Sequence, residues 1–345
     1  MAAPRNIDFK ELLTSVTVDV TAHPRDLSKV YQDRFKISRV TAARYIQRLE
    51  REGWISRSGP STHPVYAPGY MRRVQAIFAL AGLEEETPWQ KQFAPYVFAP
   101  PNVKNIVHHG FTEMLNNAID HSEGTRAFVY LEQNQESVHL MIDDDGIGIF
   151  AKIAAALGLS DIRQAILELS KGKLTTDPSK HSGEGVFFTS RMFDRFAIHA
   201  NGLAFSHDDD LSNDWLLEGK PEAGTAVFMT IALNSTRTTS AVFEQFMDAP
   251  EDVGFSKTVI PMRLAVYGDE QLVSRSQAKR LISRLDRFKR VMLDFDGVAE
   301  IGQAFADELF RIYANEHPDV ELIPINVSEQ VERMYLRAMQ NRGPV

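Results

Sequence analysis

The 345-residue sequence contains no cysteine, which excludes disulfides, thiolate metal sites and a cysteine nucleophile. It also has no long apolar run. The longest, Ala76 to Leu83 and interrupted by Gly82, falls far short of the roughly eighteen residues a membrane-spanning helix needs. The first residues, Met1 to Asn6, hold no apolar signal core. Together with the missing cysteines this makes the cytoplasm the expected location. No G-x-x-x-x-G-K-[ST] phosphate loop occurs, so P-loop nucleotide chemistry is excluded. Long repeats and low-complexity segments are lacking too.

What is present is unevenly charged. The net charge is −8, yet residues 1–75 hold thirteen Lys and Arg against seven Asp and Glu, and the remainder 25 against 39. A basic segment on an acidic body points to an anionic partner for the N-terminus alone. Three regions separate by pattern, giving a multidomain α/β reading with boundaries at 1–70, 75–236 and 250–340. Ser58 to Pro64 and Pro68-Gly69 mark the first loop boundary.

In the first region Asp26–Phe35 reads as a short helix. Ser38 caps a second one, Arg39–Glu52, in which Val40, Ala43, Ile46 and Leu49 recur at helical spacing. Gly53 ends it, and Trp54-Ile55 begin a strand that can pair with Val65-Tyr66-Ala67. Two helices, a tight turn and a hairpin describe a winged helix-turn-helix. The second helix would carry Arg39, Thr41, Arg44 and Arg48 near one exposed side, where arginine can pair with guanine or phosphate. The segment from Ser38 to Ile55 resembles recognition helices of bacterial winged-helix regulators, which implies DNA as a partner. A protein-interaction or dimerisation role is the other reading of the same elements.

The middle region carries four short motifs. In Phe111 to Ser122, Glu113, Asn117 and Asp120 fall on one helical stripe, with Met114, Leu115, Ala118 and Ile119 expected on the buried face. An amide oxygen there can ligate a hard cation, and a carboxylate can orient or deprotonate water or a hydroxyl. Val138–Ile142 reads as a strand feeding Asp143-Asp144-Asp145-Gly146-Ile147-Gly148, where a carboxylate can accept from an exocyclic amine and glycines allow close backbone approach. The D-x-D-x-D-G spacing of a calcium loop is missing. Ser182-Gly183-Glu184-Gly185-Val186 opens a helix that can present backbone N–H groups to phosphates. Gly224-Thr225 starts an apolar strand, Ala226–Ile231.

In order and separation these four motifs look like the N, G1, G2 and G3 boxes of the GHKL ATPase superfamily, over roughly residues 75–235. The wording is closest to its histidine-kinase and anti-sigma serine-kinase branches. The resemblance implies an α/β-sandwich (Bergerat) domain that binds ATP with Mg²⁺. Glu113 matches the general base and Asn117 the Mg²⁺ ligand, with Asp120 on the same stripe. Asp144, beside Gly146 and Gly148, matches the adenine-contacting aspartate. Gly183, Gly185 and Val186 match the phosphate-contacting loop and Thr225 the threonine near adenine. Residues 150–182 would then form a lid, in which Lys171, Lys173 and His181 are candidates to reach the γ-phosphate. His108 and His109 read as helix-entry residues.

The third region repeats strand and helix, implying a largely parallel sheet, with Ser274 and Gln277 as a capping box. The stretch from Leu293 to Asp307 is similar to the STAS fold of anti-sigma-factor antagonists, covering about 250–340. Typical antagonists carry a serine where this chain has Gly302-Gln303-Ala304, so a docking or dimerisation role is favoured over phosphoryl acceptance. The combined expectation is an ATP-binding, DNA-binding transcriptional regulator with ATPase activity, a protein partner at the STAS-like domain, and self-association into a homodimer. An anti-sigma-type serine/threonine kinase is the alternative.

Overall fold

The computed structural model describes residues 8–174, 183–208, 213–218, 223–247, 255–266 and 271–340. By its contacts the chain divides into two compact units. The first joins Met1–Gly146 to Ala226–Thr236, and the second joins Ile147–Thr225 to Arg237–Val345.

The first unit begins with the short helices Phe9–Leu13 and Val16–Ala22, neither of which the sequence pattern marked. Leu27–Phe35 and Arg39–Arg51 follow, the latter capped by Ser38, whose hydroxyl accepts from the Thr41 N–H at 3.1 Å. Strand Ile55–Ser58 then pairs antiparallel with Val65–Pro68, in the register Ser56 to Ala67. The expected elements are present, but the buried stripe of the fourth helix is Ala42, Ile46 and Leu49. Val40 is 75 % exposed and Ala43 is exposed as well. These residues close on Phe9, Leu12, Val16, Val20, Leu27 and Tyr31 to make one small core. Buried Asp19 takes both Arg34 guanidinium nitrogens, at 2.7 and 2.8 Å, fastening the second helix to the third.

The rest of the unit is a helix on an antiparallel sheet. Arg72–Ala79, Arg126–Gln133, Ser137–Asp144 and Thr225–Ala232 lie side by side in that order, each pair antiparallel. Val129, Leu131, Val138, Leu140, Val227 and Met229 face the core at every second position. Against them lies Pro101–His121, whose buried residues alternate in steps of three and one from Val103 to Ala118. This helix starts ten residues before the motif at Phe111. Pro101 sits at its first position, where a missing N–H costs nothing. His108 and His109 therefore stand in mid-helix rather than at its entry. His108 stacks on Trp89 at 4.9 Å and bonds Glu86 at 2.7 Å.

The second unit holds helices Ile149–Leu157, Gln164–Lys171 and Gly185–Met192, and the strands Arg195–Ala200, Leu203–Asp208 and Asn213–Glu218 side by side in antiparallel register. Its C-terminal part has three parallel strands in the order Lys257–Pro261, Arg290–Asp294, Glu321–Ile325. The expected capping box is made: Ser274 accepts from Gln277 N–H while the Gln277 amide oxygen accepts from the Ser274 N–H at 2.9 Å. Helix Gln303–Asp307 continues as a wider π turn, Glu308–Tyr313.

One buried ionic cluster holds this unit together. Lys171, fully buried, donates to Glu168 at 2.5 Å and to the Ser283 carbonyl at 3.0 Å. Arg284 donates to the other Glu168 oxygen at 2.8 Å and to the Lys173 carbonyl at 2.6 Å. Thr258 donates to the Lys171 carbonyl at 2.7 Å. Burial pulls the Lys171 ammonium below its ordinary range and Glu168 works against that shift. Removing one partner of such a pair strands a charge away from water. Glu168→Gln is therefore expected to cost about 3–5 kcal/mol of stability in urea denaturation. A cost under about 1 kcal/mol would show a pair screened like one on the surface.

Candidate functional site

Glu113 and Asn117 are both half-buried on the Pro101–His121 helix, and Asp120, a turn further on, is exposed. The stripe is set by its neighbours: Phe111, Met114, Leu115 and Ala118 are buried, and Ile119, expected to join them, is only half-buried. Asn117 donates to the Met114 sulfur at 3.9 Å, which leaves its amide oxygen uncommitted by that bond. Strand Ser137–Asp144 packs against this helix within the same unit and ends in Asp144. The Asp144 carboxylate is 8 % exposed and accepts from the Gly146 N–H at 2.9 Å.

The three aspartates divide their tasks. Asp145 turns back on the neighbouring strand, accepting from the Arg126 N–H at 2.9 Å, the Thr125 hydroxyl at 2.8 Å and the Thr125 N–H at 2.6 Å. It is an anchor for the turn rather than a ligand group.

The glycines have a different reason from the one the sequence suggested. A Cβ on Gly146 would lie 2.1 Å from the Ser122 carbonyl oxygen, and one on Gly148 would lie 2.4 Å from the Asn201 side chain. Both are required because protein atoms fill the space, with Gly148 also at φ +87°. Asn201 is a residue the motif reading missed. Its amide oxygen accepts from Ala151 N–H at 3.0 Å and its NH₂ donates to the Ile147 carbonyl at 2.9 Å. Buried Thr225 accepts from Ile149 N–H at 3.0 Å, so it braces the start of the same helix.

Gly183, at φ +74°, gives its carbonyl to the Leu174 N–H at 2.9 Å, and a Cβ there would meet the Leu174 backbone. Gly185 opens the helix Gly185–Met192, with half-buried Val186 next to it. That helix is fixed by its phenylalanines: Phe187 meets Phe255 at 4.5 Å, and Phe188 meets Phe243 at 4.4 Å. Of the three cations considered for a phosphate, Lys171 is spent on the buried cluster. Lys173 donates to the Arg287 carbonyl at 2.8 Å and lies 5.0 Å from the Phe288 ring centre. His181 lies outside the described residues, as does Ser182.

Helix Arg39–Arg51 does not gather its four named residues on one face. Thr41 is committed to the cap, its hydroxyl 2.9 Å from that of Ser38. Arg48 pairs with Glu52 at 2.7 Å and lies over the Phe9 ring at 3.7 Å. At about 100° per residue the exposed stripe opposite the buried one is Val40, Arg44, Gln47 and Arg51, with exposed Arg39 well off it. Burial at Ala42, rather than at Val40 and Ala43, turns the helix this way. Arg44, Gln47, Arg48 and Arg51 line a hollow of about 540 Å³ with Asp8 and Phe9.

Comparison with known families matches two segments of the chain. Residues 102–233 match the family of histidine kinase-, DNA gyrase B- and HSP90-like ATPases. Residues 277–332 match a STAS-like domain of unknown function. The chain thus carries a GHKL ATPase domain, which implies nucleotide binding, and a STAS-like domain. No curated protein matches it. Among the described residues no helix is long and apolar enough to cross a membrane.

The role of Asp145 is testable by pH. Its hydrogen bonds from Arg126 N–H and Thr125 hold the carboxyl below its ordinary value of 3.8. The stabilisation is therefore complete above that pH and is lost as pH falls through the lower folded-state value. In urea denaturation at several pH values, Asp145→Asn should be less stable than wild type at pH 7, with a gap that closes in acid. A gap independent of pH would contradict this.

Proposed function

We propose that this chain is an ATP-responsive, DNA-binding regulator. The observation that carries the nucleotide half is the pairing of a half-buried Glu113–Asn117 stripe with a buried Asp144 on the strand packed against it, inside a segment of the ATPase family. The donor set fits ATP. Within the first unit Asp144 offers an acceptor for an exocyclic amine and Asn117 an oxygen for a hard cation. Among the described residues no group of three His, Asp or Glu could hold a metal alone. Mg²⁺ would instead take the Asn117 oxygen together with the nucleotide's own phosphates, as this ion ordinarily does. Mg²⁺ would neutralise phosphate charge there, and Glu113 is the base that orients water.

The DNA half rests on a helix-turn-helix and hairpin with an exposed Val40–Arg44–Gln47–Arg51 stripe, which we read as a winged helix. Arginine and glutamine read purine edges, and an exposed valine can meet a thymine methyl. The STAS-like domain serves as the docking element for a protein partner or a second copy. Nucleotide state then biases DNA affinity through differential binding.

Two measurements test this reading. ADP release should be lost in Glu113→Ala while nucleotide binding is kept; loss of both would make Glu113 structural instead. In duplex titrations at fixed salt, Arg44→Ala or Arg51→Ala should weaken binding roughly tenfold, about 1.4 kcal/mol. A non-hydrolysable ATP analogue should shift the wild-type affinity. Unchanged DNA binding in both variants would remove the helix from the interface.

A further inference from the structure

Two adjacent arginines on the strand Arg72–Ala79 are treated in opposite ways. Arg73 has a carboxylate: its Nε donates to Glu132 at 2.8 Å, and the Tyr130 hydroxyl donates to the same oxygen at 2.6 Å. Arg72 has none. It is 9 % exposed, and its Nε and Nη1 are closed off from water without an acceptor. Among the described residues its guanidinium stacks on the Phe98 ring, whose centre lies 3.5 Å from the guanidinium carbon. That ring is deliberately held. Gln133, paired with Arg72 across the strands, accepts from the Phe98 N–H at 2.9 Å and donates to the Phe98 carbonyl at 2.7 Å. The guanidinium is always charged at neutral pH, so holding two of its three nitrogens away from water without an acceptor is a standing cost.

Arg72 borders a hollow of about 500 Å³ that Arg57, Tyr70, Gly53 and Gly69 also line. The hollow is shaped by its glycines. A Cβ on Gly53, at φ +79°, would lie 2.0 Å from the Tyr70 ring, and one on Gly69 would lie 1.9 Å from the Gly53 carbonyl oxygen. Exposed Arg57 supplies a second cation and the half-exposed Tyr70 hydroxyl a donor. Glu50 also lines the hollow, and the Arg72 Nε and Nη1 make no hydrogen bond to it.

We propose that this hollow, between the hairpin 55–68 and the strand at Arg72, is a phosphate-binding site in which Arg57 and the remaining guanidinium nitrogen of Arg72, Nη2, receive the anion. A phosphate matches both requirements, since arginine pairs with its oxygens and the added charge compensates the stranded one. The site is separate from the Glu113–Asp144 motif and does not depend on ATP binding there. Its phosphate can come from a DNA backbone or from a free anion.

The test uses the full chain, with inorganic phosphate, pyrophosphate and a DNA duplex as probes at matched ionic strength. Arg72→Met removes the guanidinium and keeps an unbranched, apolar stem that can fill part of its space. In thermal denaturation, free phosphate as the source predicts a saturable rise in wild-type Tm that Arg72→Met lacks. DNA as the source predicts that only the duplex responds, and that Arg72→Met lowers the slope of log affinity against log salt by roughly 0.9, one phosphate contact. Either way Arg72→Met should melt at or above wild type without ligand, and Glu50→Gln should bind the responding probe as well as or better than wild type. The proposal is overturned if Arg72→Met answers every probe as wild type does. It is also overturned if both Arg72→Met and Glu50→Gln destabilise the free protein, which would make Glu50 the hidden counter-ion.

Discussion

A carboxylate kept 8 % exposed at the end of a strand must have donors, and Asp144 is such a group. Its own chain gives it the Gly146 N–H, at 2.9 Å. Much around it serves to keep that turn in place. Asp145 clamps Thr125 and Arg126 on the adjoining strand, and Gly146 lies against the Ser122 carbonyl oxygen at the end of the long helix. Ser122 is itself tied to Ala118, its hydroxyl donating at 2.6 Å. The helix that bears Glu113 and Asn117 is thereby joined to the strand that bears Asp144 at one end. A small shift of that junction would move all three side chains together. A site made this way is preorganised by secondary structure rather than by a loose loop.

The second unit solves another problem, that of fixing the glycine-rich turn. Helix Gln164–Lys171 ends in the Lys171–Glu168–Arg284 cluster, and helix Gly185–Met192 begins in the phenylalanine cluster around Phe255. Both therefore rest on residues of the C-terminal part. Leu174 and Gly183, which lie between those helices in the chain, are bonded to each other. Two of the cations that a reading of charge alone would offer to a phosphate, Lys171 and Lys173, bond to groups of the protein itself. Burial and packing decide which positive charge remains for a ligand, and sequence does not reveal burial.

Legibility varied for identifiable reasons. The Ser38 cap, the Ser274–Gln277 box and the parallel C-terminal strands were readable, because short-range chemistry and periodicity determine them. Glu113 and Asn117 stand on a helix and Asp144 at the end of a strand, the elements that local periodicity led one to expect. The start of the long helix at Pro101 was not readable, because the pair Pro100-Pro101 reads as a loop signal as readily as a helix start. Nor was the face of the Arg39–Arg51 helix, since Ala42 and Ala43 are equally apolar and only tertiary packing chooses between them. Asn201 lies more than fifty residues beyond the loop it braces, with no local pattern to mark it. Arg72 and Arg73 look alike in sequence and differ only in what the fold brings beside them.

The central claim is that Asp144 anchors ATP in a pocket that Glu113 and Asn117 share. Calorimetric titration of the full chain with ATP and Mg²⁺, wild type against Asp144→Asn, tests it most directly. Saturable binding to wild type and its loss in a variant that still melts cooperatively is the predicted result. Equal ATP affinity in the two proteins would contradict it.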